Sequence, residues 1–135
     1  MNRDCKVQGE WAEVSFTARA MGKGLRVAKP YGDSAPYDFI VEAGSRFLRI
    51  QVKSVSVETK KAYRVSTGRG FHAKLGYTAG EVDFFAAWVI PHDAWYIIPV
   101  QVVAQRVSLH LCPHRPSHRN CEAYKEAWHL LREPI

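Results

Sequence analysis

The sequence predicts an α/β fold: an opening helix, a mixed sheet of about five or six strands, and a last helix packed back on that sheet. Three observations carry this. Residues 9 to 21 place Trp11, Val14, Ala18 and Met21 at helical spacing and stop at Gly22-Lys23-Gly24. Residues 37 to 54 read as a β-hairpin, two β-rich runs around the turn signal Ala43-Gly44-Ser45. Residues 82 to 90 are almost continuously apolar, as in a strand buried on both faces.

At 135 residues and 47% hydrophobic composition, the chain is expected to be one domain with a real core. That core is expected over residues 7 to 111, with a C-terminal loop and helix over 112 to 135. No run approaches the roughly 18 apolar residues of a membrane helix, so no membrane partner is expected. The start Met1-Asn2-Arg3-Asp4-Cys5-Lys6 lacks an apolar signal segment, which makes the cytoplasm the expected location. Cys5, Cys112 and Cys121 are odd in number and far apart, so disulfides are not expected. The formal charge of +6 suits a polyanionic partner, although it speaks to partners and not to a reaction.

The elements follow in order. In the first helix, Ala12 and Phe16 add a second apolar side, which predicts packing on both flanks. Residues 25 to 29 alternate and read as a strand, and residues 30 to 36 form a turn-rich loop that delivers the chain to Asp38. Asp33 and Ser34 in that loop read as turn formers through local hydrogen bonds. Residues 55 to 57 and 62 to 66 read as strand pieces around a Lys60-Lys61 turn. Residues 94 to 99 form another strand, 100 to 105 a short helix, and 107 to 111 a further strand. Residues 122 to 132 read as the final helix, packing through Tyr124, Ala127, Trp128 and Leu131.

The chemistry gathers in the hairpin. In its second strand, alternation sends Leu48, Ile50 and Val52 to one face and Arg49, Gln51 and Lys53 to the other. Asp38, at the start of the first strand, can lie beside Gln51 and Lys53, because opposed Cβ atoms in an antiparallel pair are roughly 5 Å apart. A hard cation such as Mg²⁺ takes oxygen ligands, which Asp38 and the Gln51 amide can supply. Lys53 cannot bind the metal, but it can hold or deprotonate a metal-bound water or neutralise a phosphate. A simply polar, wetted strand face would carry the same alternation. Glu10 and Glu13, on the first helix, are each candidates for a further carboxylate, and the apolar pattern does not choose between them.

Pro36-Tyr37-Asp38, twelve intervening residues, then Gln51-Val52-Lys53 resembles the signature of the PD-(D/E)XK nucleases, with Gln where most members carry Asp or Glu. Gly9-Glu10-Trp11-Ala12-Glu13 is similar to the first-helix Gly-x-x-x-Glu of archaeal Holliday-junction resolvases and intron-associated homing endonucleases. Tyr77-Thr78-Ala79-Gly80-Glu81-Val82-Asp83-Phe84-Phe85-Ala86 and Tyr96-Ile97-Ile98-Pro99 are similar to that homing-endonuclease branch. The resemblance covers about residues 7 to 104. It implies a restriction-endonuclease-like fold and a Mg²⁺-dependent DNA endonuclease, with Mn²⁺ able to substitute, that works as a homodimer or higher oligomer. It selects Glu13 over Glu10, making Glu13, Asp38, Gln51 and Lys53 the catalytic set and Glu13, Asp38 and Gln51 the metal ligands. It also sets the loop at Asp33 and Ser34 beside the active site.

Two further stretches invite function. Residues 67 to 77 interleave Gly, basic and aromatic residues without helical or strand period, which suits a loop whose cations meet phosphates; Arg64, Arg69, His72 and Lys74 are the candidate nucleic-acid contacts. Cys112, His114, His118 and Cys121 are zinc-type ligands within ten residues, at spacings of no common finger. The other reading of that tail is a Pro-punctuated linker. A different class of function is also consistent with the sequence: a catalytically inactive nucleic-acid-binding module on the same fold.

Overall fold

The computed structural model describes residues 4–69, 72–76, 80–104, 108–115 and 121–132, and of 68–69 and 72–76 the backbone alone. The first helix, α1 (Cys5–Gly22), starts earlier than its apolar spacing suggests, because Asp4 caps it by accepting from the Lys6 N–H at 2.8 Å. Its buried face is Ala12, Phe16 and Ala20, whereas Trp11, Val14 and Met21 stay 38%, 67% and 62% exposed. The expectation of packing on both flanks is therefore corrected. Two alanines one turn either side of Phe16 let the helix backbone approach the sheet closely, and a single contact surface is all the sheet offers it.

Ten strands follow. They are β1 (Arg26–Ala28), β2 (Phe39–Ala43), β3 (Arg46–Val55), β4 (Glu58–Thr59), β5 (Ala62–Ser66), β6 (Gly68–Arg69), β7 (His72–Gly76), β8 (Phe84–Val89), β9 (Ala94–Pro99) and β10 (Ser108–Leu111). A short helix, α2 (Val100–Val103), lies between the last two. The main sheet runs β1-β2-β3-β8-β9 and is mixed: β3 and β8 are parallel and the other pairs antiparallel. The predicted hairpin is β2–β3, closed by Gly44 at φ +65°, a conformation that side chains disfavour.

One face of this sheet, with Leu48, Ile50, Val52, Ala86, Trp88 and Trp95, packs on α1 and on Ala127, Trp128 and Leu131. Phe16 is its centre, with ring centroids of Phe39, Trp128 and Trp95 at 5.4, 5.7 and 5.9 Å. The opposite face, with Phe85, Ala87, Tyr96 and Ile98, packs on α2 and on a second sheet, β10-β5-β4. That sheet covers β8 and β9 from the side away from α1, which explains why residues 84 to 89 carry almost no polar side chain. Lys60 and Lys61, at φ 53° and 66°, make the β4–β5 turn.

Two further expectations are corrected. Residues 67 to 77, read as a loop without helical or strand period, include the antiparallel pair β6–β7. Residues 122 to 132 form no α-helix but two 3₁₀ turns, Glu122–Tyr124 and Trp128–Leu131. The cause is the open edge of β9. Lys125 bridges to Tyr96, the Glu126 N–H donates to the Trp95 carbonyl at 2.6 Å, and the Trp95 N–H donates to Glu126 Oε2 at 2.8 Å. Pairing that edge pulls Glu126 to φ +52°, which a continuous helix cannot contain. The expected packing residues Ala127, Trp128 and Leu131 are nevertheless buried.

Candidate active site

Asp38 is fixed by the strand it faces. Its N–H donates to the Ile50 carbonyl and its Oδ2 accepts from the Val52 N–H, both at 2.8 Å, so it grips β3 on either side of Gln51. Its carboxylate replaces a backbone carbonyl at the point where β2 leaves the β3 ladder. Gln51 and Lys53 align with Phe85 and Ala87 of β8 in parallel register, so both project from the face away from α1. Both are half-buried.

The charges act on one another. Burial raises the pKa of Asp38, the Val52 N–H opposes this, and the Glu13 charge raises it further while Lys29 and Lys53 lower it. Burial lowers the pKa of Lys53, and the Asp38 charge works against that. A carboxylate and an amine, each less willing to ionise than in water, are therefore in electrostatic contact at the strand end. Asp38 thus feels Glu13 from α1 on one side of the sheet and Lys53 from the other.

Glu13 reaches the site from the middle of α1, whose helical path is kept there by burial of Ala12 and Phe16 on either side. Its Oε1 accepts from Lys29 Nζ at 2.7 Å, and Lys29 in turn stands 4.8 Å above the Phe39 ring. A cleft of about 190 Å³ is lined by Glu13, Lys29, Pro30, Gly32, Asp33, Ala35, Tyr37 and Asp38. The loop with Asp33 therefore does border the carboxylates. Ser34 is exposed beside it, and Glu10 lies outside this cleft. A larger hollow of about 440 Å³ along the C-terminal half of α1 is walled by Arg19, Asp93, Trp88 and Trp95 and contains none of the four predicted catalytic residues.

Sequence reasoning missed two parts of this arrangement. Lys29 was one. The other is a clamp between Arg49 and Asp83: Asp83 Oδ2 accepts from the Arg49 N–H at 2.7 Å and from Nε at 3.0 Å, and Oδ1 accepts from Nη2 at 3.1 Å. Arg49 Nη1 also donates to the Gly80 carbonyl at 2.6 Å, and the Asp83 N–H donates to the Arg49 carbonyl at 2.9 Å. The clamp precedes the first in-register pair, Ile50 and Phe84, and so sets the alignment that carries Gln51 and Lys53. The signal was available in Gly80-Glu81-Val82-Asp83, where an acid interrupts the approach to an apolar strand.

Asp38 thus grips a hairpin strand beside Gln51 and Lys53 and shares a cleft with Glu13 of α1. The sequence profile described as PD-(D/E)XK endonuclease matches residues 3–131. This chain belongs to the PD-(D/E)XK endonuclease family. Four chains of known structure match its fold. One is the bacterial homing endonuclease I-Ssp6803I, similar at 29% identity and a TM-score of 0.78 over 96% of this chain and 92% of that one. No functionally curated protein matches it by sequence. As a PD-(D/E)XK endonuclease, the chain is a nuclease, and among its described residues no helix is long and apolar enough to cross a membrane.

The remaining candidate residues of this PD-(D/E)XK chain fall elsewhere. Arg64 lies on β5 of the second sheet, opposite His110 of β10, with Nη1 2.5 Å from His110 Nε2. Burial, and then the Arg64 charge, lower the pKa of His110, favouring a neutral ring that accepts this bond. Arg69, His72 and Lys74 lie on β6 and β7, and their side chains are outside the described residues. In the tail, Cys112 is buried with Sγ 3.6 Å from the Lys61 carbonyl, and Cys121 is buried as well. His114 turns to Glu58, at 3.5 Å, and stacks on His92, while His118 is outside the described residues. Among the described residues no three His, Cys, Asp or Glu side chains converge on a point that could hold a metal.

Proposed function

We propose that this chain is a divalent-metal-dependent DNA endonuclease in which Asp38, Gln51, Glu13 and Lys53 carry the chemistry. The observation that supports it best is the double grip of Asp38 on β3 around Gln51, with the Lys53 charge felt at the same carboxylate. The donor set fits a hard cation. Asp38 and Glu13 offer carboxylate oxygens along one cleft, and Gln51, on the strand that Asp38 grips, offers an amide oxygen, as Mg²⁺ prefers and Mn²⁺ accepts. When bound, such an ion supplies charge relief at the phosphate and acidifies a water.

The protein's own groups do the remaining work. Asp38 Oδ2 is held by the Val52 N–H, so the direction of the carboxylate does not depend on a flexible rotamer. Lys53, half-buried with its pKa pushed down by burial, places an ammonium where it orients the attacking water or meets the phosphate oxygens. The neutral Gln51 adds an oxygen without charge, which lowers metal affinity relative to a carboxylate there. DNA as substrate is supported by the family and by the basic composition, and a homodimer or higher oligomer would set one such site on each strand.

The test is cleavage of plasmid, junction and flap DNA by purified protein in Mg²⁺ or Mn²⁺. Activity that falls by at least about 100-fold in Asp38→Ala and Lys53→Ala, the order seen when one transition-state contact is removed, supports the proposal. Equal cleavage by wild type and both variants overturns it. Chelator-insensitive, salt-sensitive DNA binding without cleavage would establish the non-catalytic module instead.

A further inference from the structure

Nothing in the local sequence marks Lys29, which directly follows β1. In the fold its ammonium sits 2.7 Å from Glu13 Oε1 and 4.8 Å above the Phe39 ring. It lines the 190 Å³ cleft with Asp38, and also a neighbouring hollow of about 260 Å³ with Glu10, Val14 and Thr17. Its charge reaches Asp38 as well as Glu13. The side chain is 59% exposed, so these contacts hold the ammonium, and enclosure does not.

Charge counting gives the pair a meaning. Without a bound ion, Glu13 and Asp38 repel each other across the cleft, and Lys29 and Lys53 offset them. A divalent ion at the same carboxylates brings two further positive charges, and Lys29 then becomes a repulsive neighbour unless it leaves Glu13. The nearest chemical destination for a displaced ammonium at the mouth of such a cleft is a DNA phosphate, which restores the balance. We propose that Lys29 is a resident counter-cation: it holds Glu13 in the metal-free protein, competes with the divalent ion for that carboxylate, and transfers to a phosphate of bound DNA when the ion takes Glu13. This rests on the metal-dependent reading above and adds to it a residue that couples metal and DNA binding.

The test is calorimetric titration of the intact protein with Mg²⁺, and separately Ca²⁺, at low salt and without DNA. Lys29→Met keeps the aliphatic stem over Phe39 and removes the charge; it is expected to bind metal about 2- to 5-fold tighter than wild type, the range that screened charge interactions at such exposure produce. With Ca²⁺ present, the same variant is expected to bind duplex DNA several-fold more weakly, while Lys29→Arg stays near wild type in both assays. Lys29→Gln replaces the Met variant should the latter fail to fold. Metal affinity that is unchanged or weaker in Lys29→Met, while Asp38→Ala loses the metal, overturns this inference and leaves the metal site standing. Equal metal binding by wild type and Asp38→Ala overturns both.

Discussion

Replacing Asp83 by Ala removes one acceptor group from three hydrogen bonds at once, those from the Arg49 N–H, Nε and Nη2. The backbone N–H loses a partner inside the sheet, a cost of about 1 kcal/mol. The two guanidinium bonds are charge-assisted, but Arg49 and Asp83 are 30% and 29% exposed, and water recovers part of their loss. Together they contribute about 1–2 kcal/mol, so the variant should lose about 2–3 kcal/mol. For a chain of 135 residues, with an unfolding entropy of about 2.1 cal/mol/K per residue, that is a drop in Tm of about 7–10 °C.

The clamp also has a pH signature. Burial pushes the Asp83 pKa up, but the hydrogen bonds and charge of Arg49 outweigh it and hold the carboxyl below its ordinary 3.8. Its stabilisation is therefore complete above that value and is lost as pH falls through the depressed one. Thermal melts of wild type, Asp83→Ala and Asp83→Asn by circular dichroism between pH 3 and 7 check both points. A Tm loss under about 2 °C at pH 7, or a wild-type advantage that persists undiminished at pH 3, would refute the assignment of the clamp as what aligns β3 with β8.

Asp38→Asn should abolish cleavage and yet melt no lower than wild type at pH 7. Because burial raises its pKa, folded Asp38 binds protons more readily than the unfolded chain, so its ionisation costs stability as pH rises from 3.8 through the raised value, and the amide removes that cost while keeping the Val52 bond. A markedly lower Tm at pH 7 would contradict this. Phe16→Ala, at a fully buried ring among Phe39, Trp95 and Trp128, should cost about 3–5 kcal/mol in urea unfolding. A cost under about 1.5 kcal/mol would mean that α1 is not anchored there.

Three of the four catalytic candidates, Asp38, Gln51 and Lys53, were legible because they sit in one hairpin. Strand alternation alone puts Gln51 and Lys53 on a common face, and the turn at Gly44 brings Asp38 back beside them; both follow from backbone geometry within about twenty residues. The likeness of Pro36-Tyr37-Asp38 and Gln51-Val52-Lys53 to the nuclease signature then named the family. Lys29 was not legible, since its partner Glu13 lies on another element and only the packing of α1 against the sheet brings them within 2.7 Å.

Periodicity, composition and turn chemistry by themselves determined the order of helix and strands, the buried run at 84 to 89, and which side chains share a strand face, because each depends on a residue and its near neighbours. Only the tertiary structure decided which of two apolar sides of α1 is buried, since Ala12, Phe16 and Ala20 win by fitting the sheet, and hydropathy alone ranks Trp11, Val14 and Met21 as high. It likewise decided that residues 122 to 132 give up a helix to satisfy the open edge of β9, and that a second sheet covers the main one. Hydrogen bonds and surfaces supplied by distant segments outweigh local preference there, and no stretch of sequence contains both partners.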